Sequence, residues 1–203
     1  MEELSKSGVE LGVACAPLAG QSESGDRYVY ETFSDGVLLA LVDGIGHGPE
    51  AAAAAETACT ILRTHAGEPV IALAERCHWG LRLTRGVVMS LAAFDLRRNL
   101  LNWLGIGNVQ GALRRFRWPI DQTEELLFLR AGVVGSSQLP PLQASVLPVV
   151  PGDMLVLATD GVGSGFAPEM NSREAATRTA QAILDRYNKR TDDALVLVAR
   201  YQG

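Results

Sequence analysis

Residues 37–49 read Val37-Leu38-Leu39-Ala40-Leu41-Val42-Asp43-Gly44-Ile45-Gly46-His47-Gly48-Pro49. The run 37–42 is apolar throughout, without the alternation of a half-exposed strand, so it describes a strand covered on both faces. It stops abruptly at Asp43-Gly44. A glycine-rich loop follows, and Pro49 suits the first position of a helix, where its missing N–H would have had no partner. A buried strand that ends in this way delivers a carboxylate to the edge of a sheet.

The construction recurs along the chain. The apolar run 154–158 ends at Thr159-Asp160-Gly161, Asp26 follows Ser24-Gly25, and Asp192-Asp193 opens the apolar run 194–199. Any one Asp-Gly step is ordinarily a turn. Strand-ending acids repeated from residue 26 to residue 193 suggest convergence instead. Converging carboxylates repel one another unless a multivalent cation lies between them, and Asp oxygens are hard ligands suited to Mg or Mn. The expectation is a metal site with two ions. Such a pair would bind phosphoryl oxygens and acidify a water for in-line attack, so no covalent nucleophile would be required. The sequence contains no G-x-S-x-G elbow.

The glycines of 44–48 let a backbone approach a ligand closely, and the following helix N-terminus favours anions. A nucleotide loop competes with the metal reading here, but the pattern G-x-x-x-x-G-K-[ST] is absent. His47 is open to three roles: proton donor to a leaving group, hydrogen-bonding neighbour of the site, or structural residue.

The chain has 203 residues, enough for one large domain, and 1–203 is read as a single unit without linker or repeat. Its net charge of -5 disfavours a nucleic-acid partner, which would call for a basic face. Three cysteines, Cys15, Cys59 and Cys77, form no C-x-x-C pair, so a disulfide framework is not suggested and a reducing cytoplasm fits. The segment 1–6 has no apolar core of a signal peptide, and every apolar run is far shorter than the roughly 20 residues of a membrane helix. No membrane association is expected.

Strands are expected at 9–17, 27–33, 37–42, 86–94, 100–106, 109–116, 126–130, 146–150, 154–158 and 194–199. Helices are expected at 51–63, 70–81 and 172–187, where apolar residues recur at helical spacing. Many adjacent strands with two early helices and one late one imply an α+β sandwich rather than a doubly wound sheet. Arg97, Arg98, Arg114, Arg115 and Arg117 cluster near strand ends. They are either solvated hairpin ends or a docking surface for an acidic protein partner. Trp79, Trp103 and Trp118 are too scattered to form a binding face.

Ser24-Gly25-Asp26, Asp43-Gly44-Ile45-Gly46-His47-Gly48, Thr159-Asp160-Gly161 and Thr191-Asp192-Asp193-Ala194 stand in the order and spacing of a known family. Over almost its whole length the chain resembles the bacterial, SpoIIE-like branch of the metal-dependent type 2C Ser/Thr protein phosphatases. Gly105-Ile106-Gly107-Asn108-Val109-Gln110-Gly111-Ala112-Leu113 and Gly132-Val133-Val134-Gly135, followed by Leu139-Pro140, resemble the stressosome phosphatases within it. Those consist of a bare catalytic domain, and the length here matches, with no room for a sensor domain.

The resemblance implies a four-layer α-β-β-α sandwich of two antiparallel sheets flanked by helices. It implies two Mn or Mg ions and removal of phosphate from Ser or Thr of phosphorylated stressosome scaffold and sensor proteins in the cytoplasm. Asp43 would bridge both metals and Gly44 would give a backbone carbonyl to one. Asp160 and Asp192 would hold the other. Asp26 would act directly or through water, and Asp193 takes the place where many relatives have Asn. Asp43 and Asp160 would serve catalysis, a metal-bound water being the nucleophile; many eukaryotic relatives have a histidine directly after the first Asp-Gly, whereas here Ile45 intervenes and His47 comes later. No arginine closely precedes Asp26 to bind phosphate as in eukaryotic relatives. Two other classes compete: a phosphatase-fold regulatory module without catalysis, and a metal-dependent phosphodiesterase or nuclease.

Overall fold

A computed structural model describes residues 8–20, 23–116, 124–170 and 174–203. Two sheets pack face to face. One is ordered β1(Val9–Ala16)-β11(Ala194–Tyr201)-β10(Met154–Ala158)-β6(Gln110–Arg114)-β7(Glu124–Leu126). The other is ordered β2(Asp26–Phe33)-β3(Gly36–Gly44)-β4(Val87–Asp95)-β5(Leu100–Ile106)-β8(Leu129–Arg130), with β9(Ser145–Pro148) also paired to β5. Helices α1(Pro49–Thr64) and α2(Val70–Gly80) cover the second sheet, and α3(Ala176–Tyr187) covers the first. The result is the four-layer α-β-β-α sandwich.

β3 shows why its run is apolar throughout. Val37, Leu39 and Leu41 enter the core between the sheets, while Leu38, Ala40 and Val42 enter the core under α1 and α2. Strand side chains alternate faces, so a strand with both faces covered has no polar position to fill. A third core lies between the first sheet and α3, around Val156, Val198, Ala180 and Ile183.

Three expectations are corrected. The run 126–130 is not one strand: β7 pairs with β6 in the first sheet, and β8 pairs with β5 in the second. Leu127 is buried in the inter-sheet core where the chain crosses, so its apolar character reflects the crossing and not a strand face. The β5–β8 pair is parallel, which makes that sheet mixed where two antiparallel sheets were expected. The late helix begins at Ala176, later than 172; Ala175 has the extended backbone of a preceding cap, and Glu10 Oε1 accepts the Ala176 N–H at 2.8 Å. That acceptor comes from β1, far away in sequence.

Cys59 and Cys77 are buried free thiols, both pushed by burial up to about 12, whereas Cys15 is exposed. Trp103 is buried in the inter-sheet core and Trp79 is exposed; Trp118 lies outside the described residues.

Candidate metal centre

Asp26 and Asp43 are direct cross-strand partners in the β2–β3 ladder. Both lie at the end of the sheet that leads into the 44–48 loop. By alternation Asp43 shares the face of Leu39 and Leu41, so it looks into the gap between the sheets. Asp160 follows β10 and Asp192 precedes β11, two neighbouring strands of the opposite sheet. Two carboxylates from each sheet thus meet at one open end of the sandwich. Asp43, Asp160, Asp192, His47, Asn108 and Gly132 border a cleft of about 500 Å3 there, with Leu18, Ile45 and Val88 as an apolar wall.

The electrostatics match that geometry. Burial, followed by the charge of Asp26 and then of Asp160, Asp192 and Asp193, raises Asp43 to about 8. Burial also raises Asp26 to about 7; a hydrogen bond from Thr159 opposes the rise, and Asp193, Asp160 and Asp192 add to it. Asp160 is raised by burial and by Asp192, against the pull of Lys189 and Asn108. These are carboxylates that a cation would return to the ionised form.

The donor set is all oxygen and suits a hard divalent ion. Among the described residues no three His, Cys, Asp or Glu side chains close a cage around one ion. Mg usually keeps several waters and is held by only one or two carboxylates. Several side-chain oxygens are already engaged. Thr159 Oγ1 donates to Asp26 Oδ2 at 2.8 Å and accepts the Leu195 N–H at 2.9 Å. Asn108 Nδ2 donates to Asp160 Oδ2 at 2.7 Å, and Lys189 Nζ donates to the Asp160 carbonyl at 2.6 Å. Gly44 donates its N–H to the Gly25 carbonyl at 3.2 Å. A Cβ on Gly44 would lie 2.1 Å from the Ala51 carbonyl oxygen, so α1 packs directly onto this glycine.

Most of the sequence-derived residues therefore come together. His47 is exposed on the loop bordering the cleft. Asp193 is placed differently from Asp192: it is buried, and both its oxygens accept backbone N–H groups. Thr159, Asn108 and Lys189 join the site although nothing in their residue type alone points to it. Thr159 and Asn108 lie inside the quoted motifs, but what they touch depends on strand pairing that one sequence does not display. The loop 132–142 reaches the cleft at Gly132, and buried His78 Nδ1 accepts its Gly135 N–H at 3.2 Å. Arg85, which pairs with Glu50 at 2.5 Å, lies against Gly46.

Arg97, Arg98, Arg114 and Arg115 do not come together at this cleft. Arg97 and Arg98 lie in the β4–β5 turn and face Asp35 and Asp95 at 3.4 and 3.9 Å. β3 runs from that end to Asp43, a span of roughly 25 Å at the rise of a strand. Arg114 stands at the far end of β6 and donates to the Met170 carbonyl. Arg115 is only 11% exposed, pairs with Glu125 at 2.5 Å and with Asp153 at 3.1 Å, and donates to the Pro148 carbonyl. It links β6, β7, β9 and the turn before β10, which corrects the docking reading for this residue. Arg117 lies outside the described residues.

The SpoIIE family model, Stage II sporulation protein E, matches residues 34–202, and the chain belongs to this family. Among characterised proteins it is 24% identical over 91 residues to phosphoserine phosphatase RsbX of Bacillus subtilis (strain 168). That match spans 45% of this chain and 46% of RsbX, about half the length of each. Among solved structures, a chain from work on the bacterial stressosome, a modular system adapted to control secondary messenger signalling, superposes with a TM-score of 0.86. It is 29% identical, with 95% of this chain and 99% of that one covered. RsbX in complex with magnesium superposes with a TM-score of 0.83 at 18% identity, covering 95% and 94% of the two chains. The catalytic domain of the serine/threonine phosphatase PstP with two manganese ions gives 0.72 at 16% identity, covering 96% and 99%. The four-layer sandwich is accordingly the type 2C phosphatase fold.

Proposed function

We propose that this chain is a metal-dependent protein Ser/Thr phosphatase that acts as one catalytic domain on phosphorylated stressosome proteins in the cytoplasm. The observation that carries the reading is the meeting of Asp26 and Asp43 from one sheet with Asp160 and Asp192 from the other. Two of these acids are driven to about 7 and 8 by burial and mutual charge. Family membership and the similarity to RsbX and to a stressosome-associated structure support the substrate class.

Asp43, Asp26, Asp160, Asp192 and the Gly44 carbonyl would hold two Mn or Mg ions. When bound, such ions supply charge compensation for a phosphoryl group and an acidified water. The chain's own residues do the rest. Thr159 fixes the Asp26 carboxylate from the opposite sheet, and Asn108 fixes that of Asp160. His47 is exposed beside the cleft, and in this reading it would be the proton donor to a departing seryl or threonyl oxygen. Leu18, Ile45 and Val88 offer an apolar surface to the residues flanking the phosphorylated one.

The experiment is release of phosphate from phosphorylated stressosome scaffold and sensor proteins with Mn present, after EDTA, and after Mn is restored. Turnover only with metal is expected. Binding of those proteins without phosphate release under any metal condition would favour the regulatory-module reading. Faster hydrolysis of bis-p-nitrophenyl phosphate than of p-nitrophenyl phosphate would favour a phosphodiesterase.

A further inference from the structure

We propose that Asp193 is a positioning residue, not a metal ligand: its buried carboxylate anchors the chain ahead of Asp26 by accepting two backbone N–H groups. The proposal rests on the metal-centre reading above. Leu18 donates to Asp193 Oδ1 and Gly25 to Oδ2, each at 2.7 Å. Asp193 is only 7% exposed, whereas Asp192 is exposed and borders the cleft. The two adjacent acids are thus divided between a site position and a support position.

The support reaches the site through short links. Gly25 is bonded to Asp26 and gives its carbonyl to the Gly44 N–H at 3.2 Å. Fixing Gly25 therefore fixes the start of β2 and the end of β3, the two strand ends that bear Asp26 and Asp43. Leu18 is part of the apolar wall of the cleft. On its other side Asp193 is pressed against the Thr-Asp-Gly motif: a Cβ on Gly161 would lie 1.9 Å from the Asp193 carbonyl oxygen. One residue ties together all four acidic motifs.

The chemistry explains why this position carries a carboxylate. Two N–H donors from points seven residues apart require two acceptors on one short side chain. A carboxylate has two acceptor oxygens, and charge-assisted bonds of this kind are the strong ones. An amide has one acceptor, and its NH2 would face the second N–H. Asp193→Asn is therefore a small change in shape that reverses one contact.

The test is amide hydrogen exchange in the metal-free protein together with Mn affinity by titration calorimetry. In the wild type, the Leu18 and Gly25 amides should exchange far more slowly than exposed loop amides such as Ala19. Asp193→Asn should speed exchange at one or both at least about tenfold. It should also weaken Mn binding about 10–100-fold, the usual cost of losing an outer support of a metal site. Asp192→Asn should weaken Mn binding while leaving both exchange rates unchanged.

Weakened Mn binding in Asp193→Asn with both amides still protected would make Asp193 a direct ligand and overturn the proposal. Unprotected Leu18 and Gly25 amides in the wild type would overturn it without any variant, which covers the case of a variant that does not fold. Exchange does not depend on turnover. A protein that shows the exchange pattern but releases no phosphate would refute the phosphatase reading and leave the anchoring role standing.

Discussion

Asp43 shows how far an acid can be moved by its surroundings before any ion is added. Its folded value of about 8 lies above the value of about 3.8 it would have in an unfolded chain. The folded metal-free protein therefore binds more protons than the unfolded chain between these two pH values, and Asp26 acts in the same direction with its value of about 7. Stability falls with rising pH wherever the native state holds the extra proton. From these two groups the metal-free protein should thus be most stable below about pH 4 and should lose melting temperature steadily as pH rises from there toward 8. A metal-free melting temperature that climbs over this range would contradict the clustered-acid geometry. Asp43→Asn should flatten the slope and should not lower the metal-free melting temperature at pH 8, because it removes one charge from a repelling set. The same variant should lose at least about 100-fold in Mn-dependent turnover, the scale of losing one contact to the reacting group. Unchanged kcat would remove Asp43 from the centre.

At the scale of elements, Arg115 shows where a linear reading stops. Asp43 and Asp160 were legible because each sits at the junction of an apolar run and a glycine, Asp26 because it follows Ser24-Gly25, and Asp192 because with Asp193 it opens an apolar run, all patterns local to the chain. Arg115 shares its local appearance with Arg114 and Arg117 in the sequence. Its actual environment comes from β7, the next strand, and from β9 and the turn before β10, which lie more than 30 residues away. The split of 126–130 between two sheets was hidden for a related reason, since residues on both sides of the crossing are apolar. Asp153 is 1% exposed in its side chain and would be left facing an emptied space in Arg115→Ala. It keeps the N–H groups of Phe116 and Val150 as donors, so the expected loss is about 3 kcal/mol, the low end for breaking a buried pair. For a chain of this size that is a drop of roughly 10 °C in melting temperature. Turnover per folded molecule should be unchanged on both a phosphoprotein and p-nitrophenyl phosphate. A selective loss on the phosphoprotein would restore the docking role.

For the whole molecule, an α+β sandwich followed from three helices and a predominance of strands, the four-layer order came from the family resemblance, and the order of strands across each sheet came from neither. Which strands become neighbours is decided by the closing of three cores at once. The site belongs to this level, because neither sheet alone brings more than two of its acids together. An ion bound there joins the two sheets and is lost on unfolding. Ligands of the native state stabilise by mass action, by about 2.7 kcal/mol when free ligand is 100 times its dissociation constant. Mn should therefore raise the melting temperature in a concentration-dependent way. The rise should be largest at pH 8, where the metal-free protein is weakest, and should be nearly absent in Asp43→Asn. A Mn-induced shift of full size in that variant would place the ion elsewhere.

The position of β11 has a consequence for how the protein is made. β11 follows every other described element in the chain, yet it lies between β1 and β10 in its sheet. Until residues 194–201 leave the ribosome, β1 has no strand to pair with, and Val9 must wait for Tyr201. The β2–β5 meander and its two helices can assemble during synthesis, because their pairings are sequential. That half carries Asp26 and Asp43 but not their counterparts. A nascent chain halted at about residue 150 would hold a folded half-sandwich with its inner face bare, a natural client for a chaperone. Phosphoester chemistry would begin only when translation has finished with the last strand.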